Sequence, residues 1–276
     1  MIYYKTSEEI EKIRRSCLLV SQTLAEVAKA IRPGCTGKSL DELAESFIRD
    51  HNALPGFKGY GGFPATLCIS VNDQVVHGIP STQELKDGDI VSVDCGVKMN
   101  GYYGDAAYTF ALGEVSEDTM QLLRVTNESL YEGIEAAKVG GRLGDIGFAV
   151  QEYCERLHGY GVVRDLVGHG VGRNLHEAPE VPNYGNKNKG LVLREGLVIA
   201  IEPMVNRGAK EVGKHKDGWT IRTVDGTPSA HYEHTIAIRK NGPDILSDHK
   251  IIEEAIKNNQ EIKEISPKSA IFALRN

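Results

Sequence analysis

The order helix, helix, strands occurs twice along this chain, and that repetition restricts its possible folds more than any other feature. In the first pass, Thr6-x-x-Glu9 has the form of a capping box, in which a hydroxyl and a carboxylate satisfy the first free helix amides. Ile10, Ile13, Cys17, Val20, Leu24, Val27 and Ile31 follow at helical spacing until Pro33-Gly34 stops the run. Ser39-x-x-Glu42 opens a second amphipathic helix with Leu40, Leu43, Phe47 and Ile48 on one side. Strand-like stretches come next, over residues 65–76, 89–97 and 102–112. In the second pass, helices over 116–137 and 143–157 precede strand candidates at 162–166, 197–202 and 231–239. Asp87-Gly88-Asp89-Ile90-Val91-Ser92-Val93-Asp94 aligns without a gap on Glu195-Gly196-Leu197-Val198-Ile199-Ala200-Ile201-Glu202. Each is an acid-Gly turn, a strand and a carboxylate at its end. Alternating strands often look alike, so this segment alone leaves coincidence open; the matching helix pairs favour duplication. The expected class is α+β, built from two related αα-β units.

Composition narrows the function. The net charge is -6, with both signs interspersed, which argues against general nucleic-acid binding. Cys17, Cys35, Cys68, Cys95 and Cys154 are odd in number and form no C-x-x-C pair. Neither a disulfide framework nor a structural zinc site is expected, and a reducing compartment fits. No apolar signal core opens the chain and no apolar run is long enough to span a bilayer, so we expect a cytoplasmic protein without a membrane partner.

Asp94 and Asp105 carry the sharpest local argument. Between them lies Asn100-Gly101, the strongest short signal for a two-residue hairpin turn with positive φ at both positions. With that loop Met99 pairs with Tyr102, Asp94 falls opposite Ala107, and Asp105 projects from the same face as Asp94. The carboxylates become diagonal neighbours, roughly 7–8 Å apart at the backbone. A three-residue loop would reverse the parity and separate them. Two such charges repel unless a cation lies between them, although a solvated strand face with unrelated acids is the blander alternative.

Other acids and histidines stand in unusual settings. His169 lies within Gly168-His169-Gly170-Val171-Gly172, and His176 follows. Glu202 continues the apolar run Val198-Ile199-Ala200-Ile201, and Glu233 sits in the strand-like Tyr232-Glu233-His234-Thr235. A carboxylate on a buried strand needs a partner. His77 marks where an apolar strand meets a turn, in Val76-His77-Gly78-Ile79-Pro80. Any one histidine of this kind is more often structural. Halving the chain, however, gives His77, Asp94, Asp105 and His169, Glu202, Glu233 in the same order. Four carboxylates with a histidine suit two divalent cations of the Mn, Fe, Co or Zn type. Two such ions can polarise a carbonyl and generate hydroxide near neutrality.

These motifs, with Asp87-Gly88-Asp89-Ile90-Val91, Gly101-Tyr102-Tyr103-Gly104-Asp105, Ile201-Glu202-Pro203 and Lys216-Asp217-Gly218-Trp219-Thr220, resemble type I methionine aminopeptidases from about residue 5 to 240. The resemblance implies the pita-bread fold, a pseudo-twofold arrangement whose antiparallel sheet encloses a dinuclear metal site. It implies Asp94, Asp105, His169, Glu202 and Glu233 as metal ligands, with Asp105 and Glu233 bridging. A metal-activated bridging water would attack the peptide carbonyl, and Glu202 would pass its proton to the leaving amine. His77 and His176 would orient substrate and stabilise the tetrahedral intermediate. Tyr60, Phe63, Cys68, Leu175 and Trp219 would line the methionine pocket, where Leu175 replaces a frequent aromatic and Gly61-Gly62 a frequent polar residue. Asn72 and Ser229 resemble a monovalent-cation site. The implied substrates are nascent polypeptides with N-terminal methionine and a small second residue, and the ribosome is a candidate docking partner. The short interval between Glu202 and Glu233 excludes the type II insertion, and no zinc-binding extension precedes Met1, so a bacterial-type enzyme is expected. The catalytic domain would span 1–243. Residues 244–276 would form an extension, with Ile251, Ala255, Ile262 and Ile265 marking one packed helix. Competing readings are a proline-specific dipeptidase or aminopeptidase of the same fold, and a non-catalytic pita-bread binding protein.

Overall fold

In the computed structural model, which describes residues 1–265, helix α1 (Ser7–Ala30) begins at the expected capping box. Thr6 Oγ1 accepts the Glu9 amide at 3.2 Å, and a Glu9 carboxylate oxygen accepts the Thr6 amide at 3.0 Å. Its apolar stripe, from Ile10 through Ile31, is fully buried. Each such side chain stabilises the fold by about 1.5–3 kcal/mol. Helix α2 (Gly37–Asp50) starts about one turn earlier than expected. Thr36 is its cap, and Ser39 supplies the reciprocal hydroxyl that accepts the Thr36 amide at 3.3 Å. A capping box of two hydroxyls satisfies those amides, so Glu42 stays exposed and takes no part in it.

The first strands are β1 (Leu54–Pro55), β2 (Leu67–Val71) and β3 (Gln74–Val76). The expected strand over 65–76 breaks because Asn72 turns the chain at φ +55°. Then β4 (Ile90–Met99) and β5 (Tyr102–Ala111) form a hairpin around Asn100 and Gly101, at φ +52° and +81°. Met99 pairs with Tyr102 and Asp94 with Ala107, the register that a two-residue loop dictates. Strand β4 runs on past Asp94 to Met99, so this carboxylate sits inside its strand and not at its end.

The second half repeats the helix pair as α3 (Glu117–Ala136) and α4 (Leu143–Gln151), the latter passing into a π-helical turn over Glu152–Leu157. Short strands follow: β6 (Gly161–Val162), β7 (Gly168–Gly170), β8 (Glu177–Val181), β9 (Val198–Ile201) and β10 (Met204–Asn206). After them come β11 (Val212–Lys214), β12 (Ile221–Thr223), β13 (Ser229–His231), β14 (His234–Arg239) and β15 (Gly242–Ile245). The expected strand over 231–239 is interrupted at Tyr232-Glu233, because β13 pairs with β10 while β14 pairs with β9 in another sheet. Gly88 and Gly196, aligned in the duplicated segment, both adopt left-handed φ near +85°, where a side chain would be strained.

One sheet holds β1, β4, β2 and β5; a second has the order β15-β14-β9-β7-β8. They meet at β5. The Glu233 amide donates to Ala107 O at 3.0 Å, and the Thr235 hydroxyl donates to Asp105 O at 2.8 Å. Helices α1 and α3 cover the sheets and bury the largest apolar cluster, while Ile10, Ile13 and Cys17 of α1 pack in a second one with Tyr102 and Val198. All five cysteines are free. Among the described residues no helix is long and apolar enough to cross a membrane.

At the C-terminal end α5 (His249–Ile256) packs against α1, and it is shorter than the expected terminal helix. Beyond it the chain turns and then meets β5: Ile262 bridges Leu112, and Lys263 donates its amide to Ala111 O. Residues 266–276 of the expected extension lie outside the described residues.

Candidate active site

Where the two sheets meet, a cavity of about 610 Å³ opens. Its walls include Asp94, Asp105, His169, Glu202 and Glu233, together with His77 and His176. Asp94 comes from β4, Asp105 from β5, His169 from the centre of β7, Glu202 from the end of β9, and Glu233 from the gap between β13 and β14. Crowding around β7 dictates the glycines beside His169. A Cβ on Gly168 would lie 2.4 Å from Ala200 O, and one on Gly170 2.6 Å from Ala178 O.

The electrostatics of this cluster suit a cation. Asp105 and Glu233 are 3% and 2% exposed. One oxygen each of Asp94, Asp105 and Glu233 is buried with no hydrogen-bond partner. Burial pushes the Asp94 carboxyl up to about 7. Burial, and then the neighbouring carboxylates, push Asp105 and Glu233 well above the ordinary range, and Glu202 rises for the same reasons. His169 Nδ1 donates to Gly170 O at 2.9 Å, so its Nε2 presents a lone pair. That lone pair faces Glu202 at 3.6 Å and Asp105 at 3.7 Å. Burial first, and then His176, hold the imidazole neutral by lowering it to about 3. Ligand atoms of Asp105, His169 and Glu233 all lie within 4.8 Å of one another. A lone pair pointed at carboxylate oxygens repels them, and a cation between the groups reverses the sign of every one of these interactions. The donor set, oxygen with one imidazole, fits divalent metals of the borderline class.

A pH dependence follows for metal-free protein. Folded Asp94 keeps its proton to about pH 7, while the unfolded chain releases it at an ordinary aspartate value near 3.8. At this carboxyl the native state binds more protons, so its contribution to stability falls as pH rises through that window, while the buried neutral histidines, His169 among them, act in the opposite sense. In chelator the Tm of Asp94→Asn minus that of the parent will therefore grow between about pH 4 and about pH 7. A difference that shrinks as pH rises would contradict this charge arrangement.

Beside the acids the cavity turns apolar. Phe63, Cys68 and Leu175 are almost fully buried, and Phe63 meets Trp219 edge-on at 5.2 Å between centroids. Cys68 stands opposite Asp94 in the β2–β4 register, so the apolar wall begins where the acids end. Burial and the Asp94 charge keep its thiol protonated. Tyr60 lines the exposed side of the cavity, its hydroxyl 2.9 Å from His176 Nδ1. The His176 ring packs edge-on against His169 at 4.2 Å. His77 takes φ +57°, an uncommon conformation for a residue with a Cβ and one that aims its ring into the cavity. Asn72 and Ser229 lie together outside the cavity, Ser229 donating its amide to Asn72 O at 2.9 Å. The Asn72 side-chain oxygen accepts the Ile90 amide.

Sequence reasoning missed several wall residues. Phe57 and Met204 line the cavity, and His231 brings Nε2 within 3.9 Å of Glu202 while remaining 1% exposed. Phe57 had one available signal: Gly96, whose absent Cβ would lie 2.5 Å from its ring. For Met204 and His231, no local pattern sets them apart from ordinary strand residues.

With this geometry in view, likeness to known proteins decides the family. A model of metallopeptidase family M24 matches residues 11–240. The chain belongs to that family. It is 54% identical over 248 residues to a methionine aminopeptidase from Clostridium acetobutylicum, covering 90% of this chain and 99% of the relative. A methionine aminopeptidase crystal structure from Thermotoga maritima superposes with a TM-score of 0.88 at 48% identity, covering 90% of this chain and all of that one. A prolidase from Pyrococcus furiosus gives 0.73 at 25% identity, and the chain covers 65% of its length. Within the M24 family this chain therefore groups with the methionine aminopeptidases of bacterial type, and it has their pita-bread fold.

Proposed function

We infer that this M24 chain removes N-terminal methionine from polypeptides whose second residue is small. The single observation that carries the reading is the continuity of an apolar pocket with a cluster of four carboxylates and a neutral imidazole. A methionine side chain has the shape and polarity for the first part, and the adjoining peptide carbonyl then falls beside the second. Two divalent ions held by Asp94, Asp105, His169, Glu202 and Glu233 would supply Lewis acidity and lower the pKa of water at that point.

The remaining work belongs to side chains. Glu202, partly exposed at the cavity wall, is suited to take a proton and deliver it to the leaving amine. The Tyr60 hydroxyl donating to His176 Nδ1 would leave the proton on Nε2, where it can stabilise negative charge developing on the carbonyl oxygen. His77, on the facing wall, orients the substrate amine.

Alanine at His77 or His176 will lower kcat/KM by about 10²–10³ with metal content retained, as measured by metal analysis beside steady-state kinetics. Loss of metal in either variant would make that residue a ligand instead. The reaction itself is tested by comparing Met-Ala-Ser with Ala-Pro peptides. Efficient cleavage of the latter alone would replace this reading with a proline-specific one.

A further inference from the structure

The family match ends at residue 240, yet the described chain continues through α5 and reaches the back of the site. His249, the first residue of α5, is 2% exposed. Its Nε2 lies 3.0 Å from Glu233 O, and its Nδ1 is buried with no hydrogen-bond partner. A carbonyl oxygen only accepts, so Nε2 carries the proton and His249 is a neutral donor held in one tautomer. Its ring stacks on His234 at 3.7 Å and 29°. His234 is itself tied at both nitrogens, to Ser247 Oγ at 2.7 Å and to Tyr131 Oη at 3.1 Å.

Glu233 needs such support. It stands between β13 and β14, outside both ladders, so neither sheet fixes its backbone. Its amide is held by Ala107 O from β5, and its carbonyl by His249 from α5. The supporting segment is itself anchored at both ends. Asp248 donates its amide to Ser21 Oγ at 2.8 Å, and the Asn259 side-chain amide donates to Ala28 O and Ile31 O, closing the end of α1.

We propose that residues 241–262 form a positioning device for the metal centre, in which His249 holds the Glu233 backbone so that its carboxylate faces Asp105 and His169. The inference rests on the reading of Glu233 as a metal ligand. His249 does not line the cavity and acts through the Glu233 backbone.

The test uses the full chain stripped of metal and titrated calorimetrically with Co²⁺, with the visible spectrum of the bound ion recorded in parallel. His249→Gln keeps a donor, whereas His249→Met has similar length and none. We expect His249→Met to bind Co²⁺ about 10–100-fold more weakly, with a shifted spectrum, and His249→Gln to stay near the parent. Ile252→Ala, at another buried position of α5, should lower Tm without that loss of affinity. Equal affinity in the Gln and Met variants, or an equal loss in Ile252→Ala, overturns the proposal. Should His249→Met fail to fold, the parent protein decides by ¹⁵N NMR. The Nε2–H tautomer, with a proton signal that shifts on adding Zn²⁺, supports the role; the Nδ1–H tautomer or an unmoved signal defeats it. Glu233→Gln separates the two claims. If it binds Co²⁺ as the parent does, Glu233 is no ligand and both readings fall. If it loses the ion while the two His249 variants match, the positioning role alone is wrong.

Discussion

Replacing Asp105 with Asn will leave a folded protein that binds divalent metal poorly and cleaves Met-Ala-Ser at a trace of the parent rate. The carboxylate lies at the crossing of β5 with the segment around Glu233, 3.7 Å from His169 Nε2, and one of its oxygens has no protein partner. The neighbouring acids come from other segments, Asp94 from β4, Glu202 from just after β9 and Glu233 from between β13 and β14, each with its own place in the cluster. The loss of affinity should exceed the ~10–100-fold typical of groups that only support a ligand. The rate should fall by at least the ~10²–10³ that one well-placed electrostatic contact is worth. Stability should move the other way. In chelator the asparagine removes one of four crowded acids, so Tm will stay level or rise, while added metal no longer raises it. A folded variant with near-normal turnover would rule out this site.

The second large effect concerns the side chain admitted to the pocket. Phe63, Cys68, Leu175 and Trp219 enclose an apolar space, and none offers a charge. Norleucine should therefore be accepted nearly as well as methionine, because it matches in shape and nothing must hydrogen-bond the sulfur. Shortening the first side chain by one methylene-sized group should cost about 1–3 kcal/mol in transition-state binding. Lysine or glutamate in first position should be rejected far more strongly, since the charge would be buried without a partner. At the second position Gly, Ala or Ser should be preferred to Leu or Lys, because His77 and the acids crowd that side of the cavity. Separate peptide panels for the two positions test both halves. Efficient turnover of Lys-first peptides would show that this is no methionine pocket, whatever the metal centre does.

Much of the architecture was readable residue by residue, and the readable parts share one property. Helix α1, its capping box and its buried stripe follow from spacing within one segment, because helical periodicity and end-capping act over a few residues. The Asp94–Asp105 pairing follows from two residues, since a turn with positive φ at Asn100 and Gly101 sets the register of the whole hairpin. Helix α2 starts about a turn before Ser39-x-x-Glu42 for an equally local reason: two hydroxyls cap as well as a hydroxyl and an acid.

What no stretch of sequence states is which distant strands come together. The break at Tyr232-Glu233 arises because the residues before it and after it bury themselves in different sheets, a choice made by apolar faces far away in the chain. The same holds for His231 beside Glu202, Phe57 against Gly96, and His249 beneath Glu233. Each is an ordinary residue by its neighbours in sequence. Local rules act over a few ångströms of covalent chain, whereas burial is shared among all the elements at once. The types of group at the centre could therefore be read in advance, but the backing that holds Glu233 in place came only with the folded chain.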